Sequence, residues 1–525
     1  MGSKDAEVMK EGIIMKKLMT LALAAAMMLG AATGANAIDF KAKGQWIMSF
    51  DYGMHGNFGE SKAKNNSGFG NEDEFEATQR VRLQLDAVAS EALSGTVFFE
   101  IGDQVWGDND NGGALGADGK VVELKRAYID WMVPQTDLKV RMGIQGIALP
   151  SFTTKASQIM DDDVAAISLN YQFNENVGLT AFWARPYNDN AGYYKNSDFG
   201  GTQYDNYMDN MDMFAVLLPL TFDGVKVTPW VMYAAMGPGM IDGKFNDTKT
   251  KWTMSSFGNA WGRAGAGMVS GFRGTDKWDT YGNAFWAGVT GEVTLWDPFR
   301  IAWDVNYGSA AYEDQKMNRE GWLASLLLEY KLDWGTPGLY GWYSTGDDNN
   351  PRNGSERMPV VSANGNNQFS NFAFNGNPYI AREGILGSTM VGTWGIGARL
   401  KDVSFLEDLK HTLRVNFMGG TNAPKMAKYV GDYAPFEKRG VQAVAEGGFS
   451  YDPMYLTTED YALEIGLTNT YKMYDNFTVM LDAAYVALWL DDSTSTWGKN
   501  PGRSALGGDG VYDAWNVNLS FVYSF

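Results

Sequence analysis

The chain has 525 residues, a formal net charge of -19, no cysteine and two histidines. Without cysteine it has no disulfides and no thiolate metal ligands, and its acidity argues against a nucleic-acid partner, whose binders are basic. A helical membrane protein needs apolar runs of roughly 18 residues or more, and only one segment, near the N-terminus, comes close; 62 glycines and 14% aromatics suit turns and extended strands instead.

Residues 1–14 read as an upstream extension. Met15-Lys16-Lys17 opens a basic segment, and Leu18 to Leu29 is apolar except for Thr20. Gly30 to Ala37 then supplies small residues ending in Ala35-Asn36-Ala37, the pattern of a secretory signal with cleavage after Ala37. The competing reading, a membrane anchor, fits less well because the apolar core is short. Residues 38–525 read as one domain without a linker.

The mature chain alternates period-two segments with turns. A strand points successive side chains to opposite faces. In Thr78–Ala89, Val81, Leu83, Leu85, Ala87 and Ala89 share one face, and Arg80, Arg82, Gln84 and Asp86 share the other. Leu138–Ile144, Ile167–Phe173, Phe299–Tyr307, Met390–Leu400 and Tyr461–Leu467 repeat the pattern, whereas Asp212–Leu220 and Ala284–Val289 are apolar at both parities. In the last segment Trp515, Val517, Leu519, Phe521, Tyr523 and Phe525 alternate with Asn516, Asn518, Ser520, Val522 and Ser524.

Roughly 18 such strands can be counted, with 16 as the alternative. Their connections alternate in length. Short ones such as Asn174-Asn176, Asp223-Gly224 and Tyr474-Asn476 follow long ones such as Gly146-Asp163, Gly237-Thr280 and Thr345-Ser388. This predicts an all-β fold, a transmembrane antiparallel β-barrel with short periplasmic turns and long extracellular loops. Trp131, Trp296 and Trp334 beside short turns fit an interfacial aromatic belt.

Three neighbouring strands place basic residues on the inward face: Arg80 and Arg82, then Arg126, then Lys139 and Arg141. The connection Gly146–Asp163 follows. Folded inward, it would bring Asp161, Asp162 and Asp163 across a narrow opening from the basic row, setting a transverse field; rings of charge tune ion selectivity. The competing reading is a polar wall with the Asp triplet capping a turn. Arg300, Arg399, Lys401 and Arg414 share inward parity and read as plain wall solvation.

Nothing points to an enzyme or a cofactor. His55 and His411 fall at opposite ends of the barrel, and neither sits beside a convincing Ser nucleophile. Zinc lacks ligands. Asp108-Asn109-Asp110-Asn111 and Asp347-Asp348-Asn349-Asn350 lack the spacing of a calcium loop and read as turns.

Ile38-Asp39-Phe40-Lys41-Ala42-Lys43-Gly44, Leu124-Lys125-Arg126-Ala127-Tyr128-Ile129-Asp130-Trp131, and Leu138–Gly143 leading into Leu149-Pro150-Ser151-Phe152 carry a resemblance. With these, the mature chain resembles Gram-negative general porins, most of all the outer membrane homotrimeric porin family of sulfate-reducing bacteria. That resemblance implies a trimer, diffusion of small hydrophilic solutes, and an inward third loop at Gly146–Asp163. The terminal Phe525 matches the closing residue that the barrel-assembly machinery reads in outer-membrane barrels.

The first expectation is therefore a passive porin in outer-membrane lipid. The alternative is a substrate-specific channel for a small anion or sugar. A surface adhesin or structural barrel is the third reading.

Overall fold

A computed structural model describes residues 38–525 except 57, 60–73, 110–111, 117–121, 189–209, 238–266, 269–279, 364–366, 375, 377–383, 428–453, 502–505 and 507–509. The signal segment 15–37, the extension 1–14, and Asp110 and Asn111 lie outside the described residues.

Among the described residues nineteen strands follow in chain order: β1 Asp39–Met54, β2 Glu74–Ser90, β3 Leu93–Val105, β4 Glu123–Met132, β5 Leu138–Ala148, β6 Asp161–Gln172, β7 Gly178–Asn188, β8 Asn210–Leu217, β9 Leu220–Phe222, β10 Val225–Met236, β11 Gly282–Val293, β12 Phe299–Ala311, β13 Arg319–Tyr330, β14 Thr336–Ser344, β15 Thr393–Leu406, β16 Leu409–Gly420, β17 Tyr461–Tyr474, β18 Phe477–Trp489 and β19 Ala514–Ser524. β8 and β9 both pair with β10 and form one stave, interrupted at Leu218-Pro219, where proline has no N–H to give the ladder. The barrel therefore has 18 staves.

Neighbouring strands are antiparallel, and β1 closes the sheet by pairing with both β2 and β19. The closing ladder runs from Gln45 opposite Ser524 to Met54 opposite Trp515. Closure leaves no edge with unpaired backbone groups, the condition for a sheet in lipid.

Side-chain alternation explains the two surfaces. On β13, Trp322, Leu326 and Leu328 are exposed on the outside, while Arg319, Ser325 and Glu329 are buried inside. On β17, Ile465 and Leu467 are exposed and Glu464 is buried. Repeated around the barrel, this makes an apolar band that only a hydrocarbon phase would cover. Trp131, Trp296 and Trp334 are exposed near the short-turn end.

The connections alternate as the sequence predicts. Asp223-Gly224 and Glu407-Asp408 are two-residue hairpin turns, with Gly224 at φ 66° and Asp408 at φ 63°. Positive φ is what the primed hairpin turns require. One boundary differs: the strand expected from Met390 starts at Thr393. Met390 and Val391 are fully buried, packed inside the barrel instead of paired in the wall.

Candidate functional site

Two of the long connections fold into the barrel. Between β5 and β6, residues 149–160 turn inward, with Thr153, Thr154, Gln158, Ile159 and Met160 buried. This segment reaches Asp304 on β12, five staves round from β6. The Asp304 carboxylate accepts the Ser151 hydroxyl at 2.7 Å, the Phe152 N–H at 3.0 Å and the Thr153 N–H at 3.2 Å, and also the hydroxyls of Thr153 and Thr290. Arg300 Nη2 donates to the Phe152 carbonyl at 2.9 Å. A buried carboxylate needs such a set of donors.

The second inward segment belongs to the β14–β15 connection. Its residues 370–373 wrap around Glu464 of β17. Glu464 Oε1 accepts from Ser370 Oγ at 3.0 Å and from the N–H groups of Asn371, Phe372 and Ala373 at 2.9, 2.6 and 3.1 Å. Consecutive backbone N–H groups form an anion-binding concavity, here filled by the protein's own carboxylate. Arg414 Nε and Arg399 Nη1 donate to the Gln368 carbonyl at 3.0 and 3.3 Å, and Phe369 stacks on Tyr340 with ring centroids 4.2 Å apart.

The two segments are bonded to each other. Lys155 pairs with Asn367 and Met160 with Ser362. The Ile159 carbonyl accepts the N–H groups of Val361 and Ser362, both at 3.0 Å, and the Thr154 carbonyl accepts the Gln368 N–H at 3.2 Å. Together they form one partition across the interior.

Apolar packing backs this partition. On β8, β10 and β11 the inward residues Met211, Met213, Trp230, Met232, Met236 and Trp286 are buried in one cluster with Leu149, Ile159, Met160, Val360 and Val361. Trp286 Nε1 also donates to the Pro359 carbonyl at 2.9 Å. This is why Asp212–Leu220 and Ala284–Val289 are apolar at both parities: one face meets the exterior and the other meets the folded loops. β19 shows a polar version. Asn516, Asn518 and Ser520 point inward but are almost fully buried in a network with Asp51 and Ser49, not open to water.

The predicted basic row lies on β2, β4 and β5, not on three neighbouring strands, because β3 runs between β2 and β4, and its charges pair sideways. Arg80 meets Asp103 at 2.5 Å, Arg82 meets Glu100 at 2.5 Å, and Lys139 and Arg141 share Asp130 at 3.1 and 2.6 Å. Arg141 also lies 4.0 Å over the Tyr128 ring. Arg126 meets Asp163 at 2.5 Å, with Lys125 3.2 Å from the same carboxylate.

The Asp triplet is placed differently from the expectation. Asp161, Asp162 and Asp163 begin β6, opposite Ala148, Ile147 and Gly146. They lie in the wall beside the basic row, not across an opening from it, because the strand starts earlier than the loop reading assumed. Asp162 accepts the Ser362 hydroxyl at 2.6 Å and so ties the wall to the second inward segment.

Sequence reasoning missed Asp304, Glu464 and the inward segment 367–374. It also took Arg300, Arg399 and Arg414 for plain wall solvation, whereas they grip the two inward segments. Lys401 matches the simpler reading, half-exposed beside Asp402 at 3.6 Å. The available signal was the doubly apolar strands, which announce that something packs on their inner face.

Above the barrel, Asp347 is fully buried and accepts Ser355 Oγ at 2.5 Å and Tyr455 Oη at 2.7 Å, with Arg357 at 3.4 Å. Burial, reinforced by the adjacent Asp347 carboxylate, pushes the Tyr455 hydroxyl well above its ordinary pKa. Among the described residues no group of His, Cys, Asp and Glu is arranged to hold a metal.

Phe525 extends the closing ladder. Its N–H donates to the Gly44 carbonyl at 3.1 Å, and its carbonyl accepts the Gly44 N–H at 2.9 Å. Its ring packs beside Trp46 and Tyr523, centroids 6.0 and 5.8 Å away. A Cβ on Gly44 would lie 2.7 Å from the Arg82 carbonyl oxygen as well as 2.5 Å from the Phe525 ring, so the close backbone approach here calls for glycine.

No family model and no curated protein matches the chain. Among solved structures it is similar to Pseudomonas aeruginosa OpdQ, at 10% identity over 93% of this chain and 98% of that one, with a TM-score of 0.47. It is similar to P. aeruginosa OpdL at the same identity, coverage and TM-score, and to P. aeruginosa OprD at 9% identity over 92% and 95%, with a TM-score of 0.44.

Proposed function

We propose that this chain is a Gram-negative outer-membrane porin, a water-filled barrel through which ions and small hydrophilic solutes diffuse passively. The observation that carries this is the closed 18-stave barrel, apolar and exposed outside, with charged and hydrogen-bonding side chains inside. Such a wall suits a solvated path, and the inward segments narrow that path. Export by the signal segment, cleaved after Ala37, brings the chain to the barrel-assembly machinery, which reads Phe525. The long connections face outward and the short turns face the periplasm. The assembled form is a homotrimer, a reading that rests on the family resemblance.

A second reading, a channel specific for a small anion or sugar, is favoured by the partition. Two joined segments leave a narrower and more structured route than one loop would. Purified protein in a planar bilayer separates the two readings. Stepwise ohmic conductance supports a porin, and saturable block by one solute class supports the specific channel. A bilayer that stays silent contradicts both.

A further inference from the structure

The sideways pairing of the wall leaves open which charge a passing ion meets. Lys155 stands apart. It sits on the first inward segment, between Thr153–Thr154 and Ala156, all buried, yet its own side chain is exposed. Among the described residues it has no ion pair or side-chain hydrogen bond.

Its height is fixed from two sides. Two positions before it, Thr153 reaches Asp304 and bonds Ser325 at 2.7 Å, both near the middle of their strands. Its backbone pairs with Asn367, next to Gln368, whose carbonyl Arg399 and Arg414 hold from the far wall. The Lys155 backbone therefore sits at the seam of the partition, at mid-barrel, and its exposed side chain extends from there. The backbone there is left-handed, φ 72°, a conformation uncommon for residues other than glycine, asparagine and aspartate. A lysine held there, where glycine would be easier, is a reason to look for a role in its side chain.

We infer that Lys155 is the specificity-determining charge of the pathway and biases it toward anions and anionic small solutes. The inference rests on the porin reading. Paired charges on the wall largely cancel beyond contact, whereas an unpaired cation acts over about 8 Å at physiological salt. At a few ångströms in water one unit charge changes ion occupancy roughly three- to five-fold.

The test is the reversal potential of purified full-length protein in a planar bilayer under a potassium chloride gradient. Lys155→Gln is expected to lower the chloride-to-potassium permeability ratio roughly three- to five-fold. Lys155→Glu lowers it further, and Lys155→Arg keeps it. The charge-neutral pair Arg82→Gln with Glu100→Gln leaves it unchanged. If Lys155→Gln and Lys155→Glu both conduct with the wild-type reversal potential, the inference is overturned. If the wild type does not conduct, the porin reading itself has failed, which is a different result. Lys155 is exposed, so the glutamine variant is expected to insert; if the glutamate variant does not, the glutamine and arginine variants decide.

Discussion

The Ser362 hydroxyl donates to the Asp162 carboxylate at 2.6 Å across 200 positions of sequence. Asp162 lies in the wall and Ser362 in the second inward segment, so one bond couples the frame of the barrel to its partition. With the backbone bonds from Val361 and Ser362 to Ile159, it makes the two inward segments a single mechanical unit.

Coupling of this kind gives a non-additive signature. Asp304→Asn weakens the anchor of the first segment, and Glu464→Gln weakens that of the second. Each carboxylate accepts several hydrogen bonds, each worth about 1.5–3 kcal/mol when one partner is charged. Single-channel recordings of either variant should show larger and noisier openings. The double variant should add less than the sum, because the segments release together. Independent, additive changes would show that the segments move separately.

The inner apolar cluster sets the stability of the partition. Trp286 is fully buried, and replacing it with alanine removes its packing and its bond to Pro359. A loss of about 3–5 kcal/mol is expected for such a change. Thermal unfolding of the detergent-solubilised barrel should report it as a lower midpoint. An unchanged midpoint would mean that the loops contribute little to the stability of the barrel.

Arg82 and Glu100 act as a pair. Arg82→Gln alone leaves Glu100 without its closest partner, although Lys125 remains 3.7 Å away. Selectivity should shift modestly toward cations in that variant and return when Glu100→Gln is added. A shift that persists in the double variant would show that Arg82 acts on ions directly.

Deletion of Phe525 removes two ladder bonds and the ring beside Trp46. Membrane-inserted protein should fall sharply, while channels that do form keep wild-type conductance. A changed conductance with normal insertion would place Phe525 in the pathway instead.

Much of the frame was legible from residue order. Alternation on β2, β5 and β19 and the switch between short and long connections were enough for the barrel and for a count of about 18 with 16 left open, because a strand's two faces meet different media; the ladder pairings settle 18. The partition was not legible, because its contacts are non-local. Asp304 meets Ser151 across 153 positions, and Glu464 meets Phe372 across 92. No periodicity links such residues. Arg126 and Asp163 were both singled out, and they do meet. Their geometry was misjudged because one shift in where β6 begins moves the triplet from the loop into the wall.

The central claim is a conducting barrel, and planar-bilayer recording of the purified mature chain tests it most directly. Stepwise, ohmic increments in current, often three at a time, are the predicted result. A bilayer that remains sealed with correctly folded, inserted protein would contradict it.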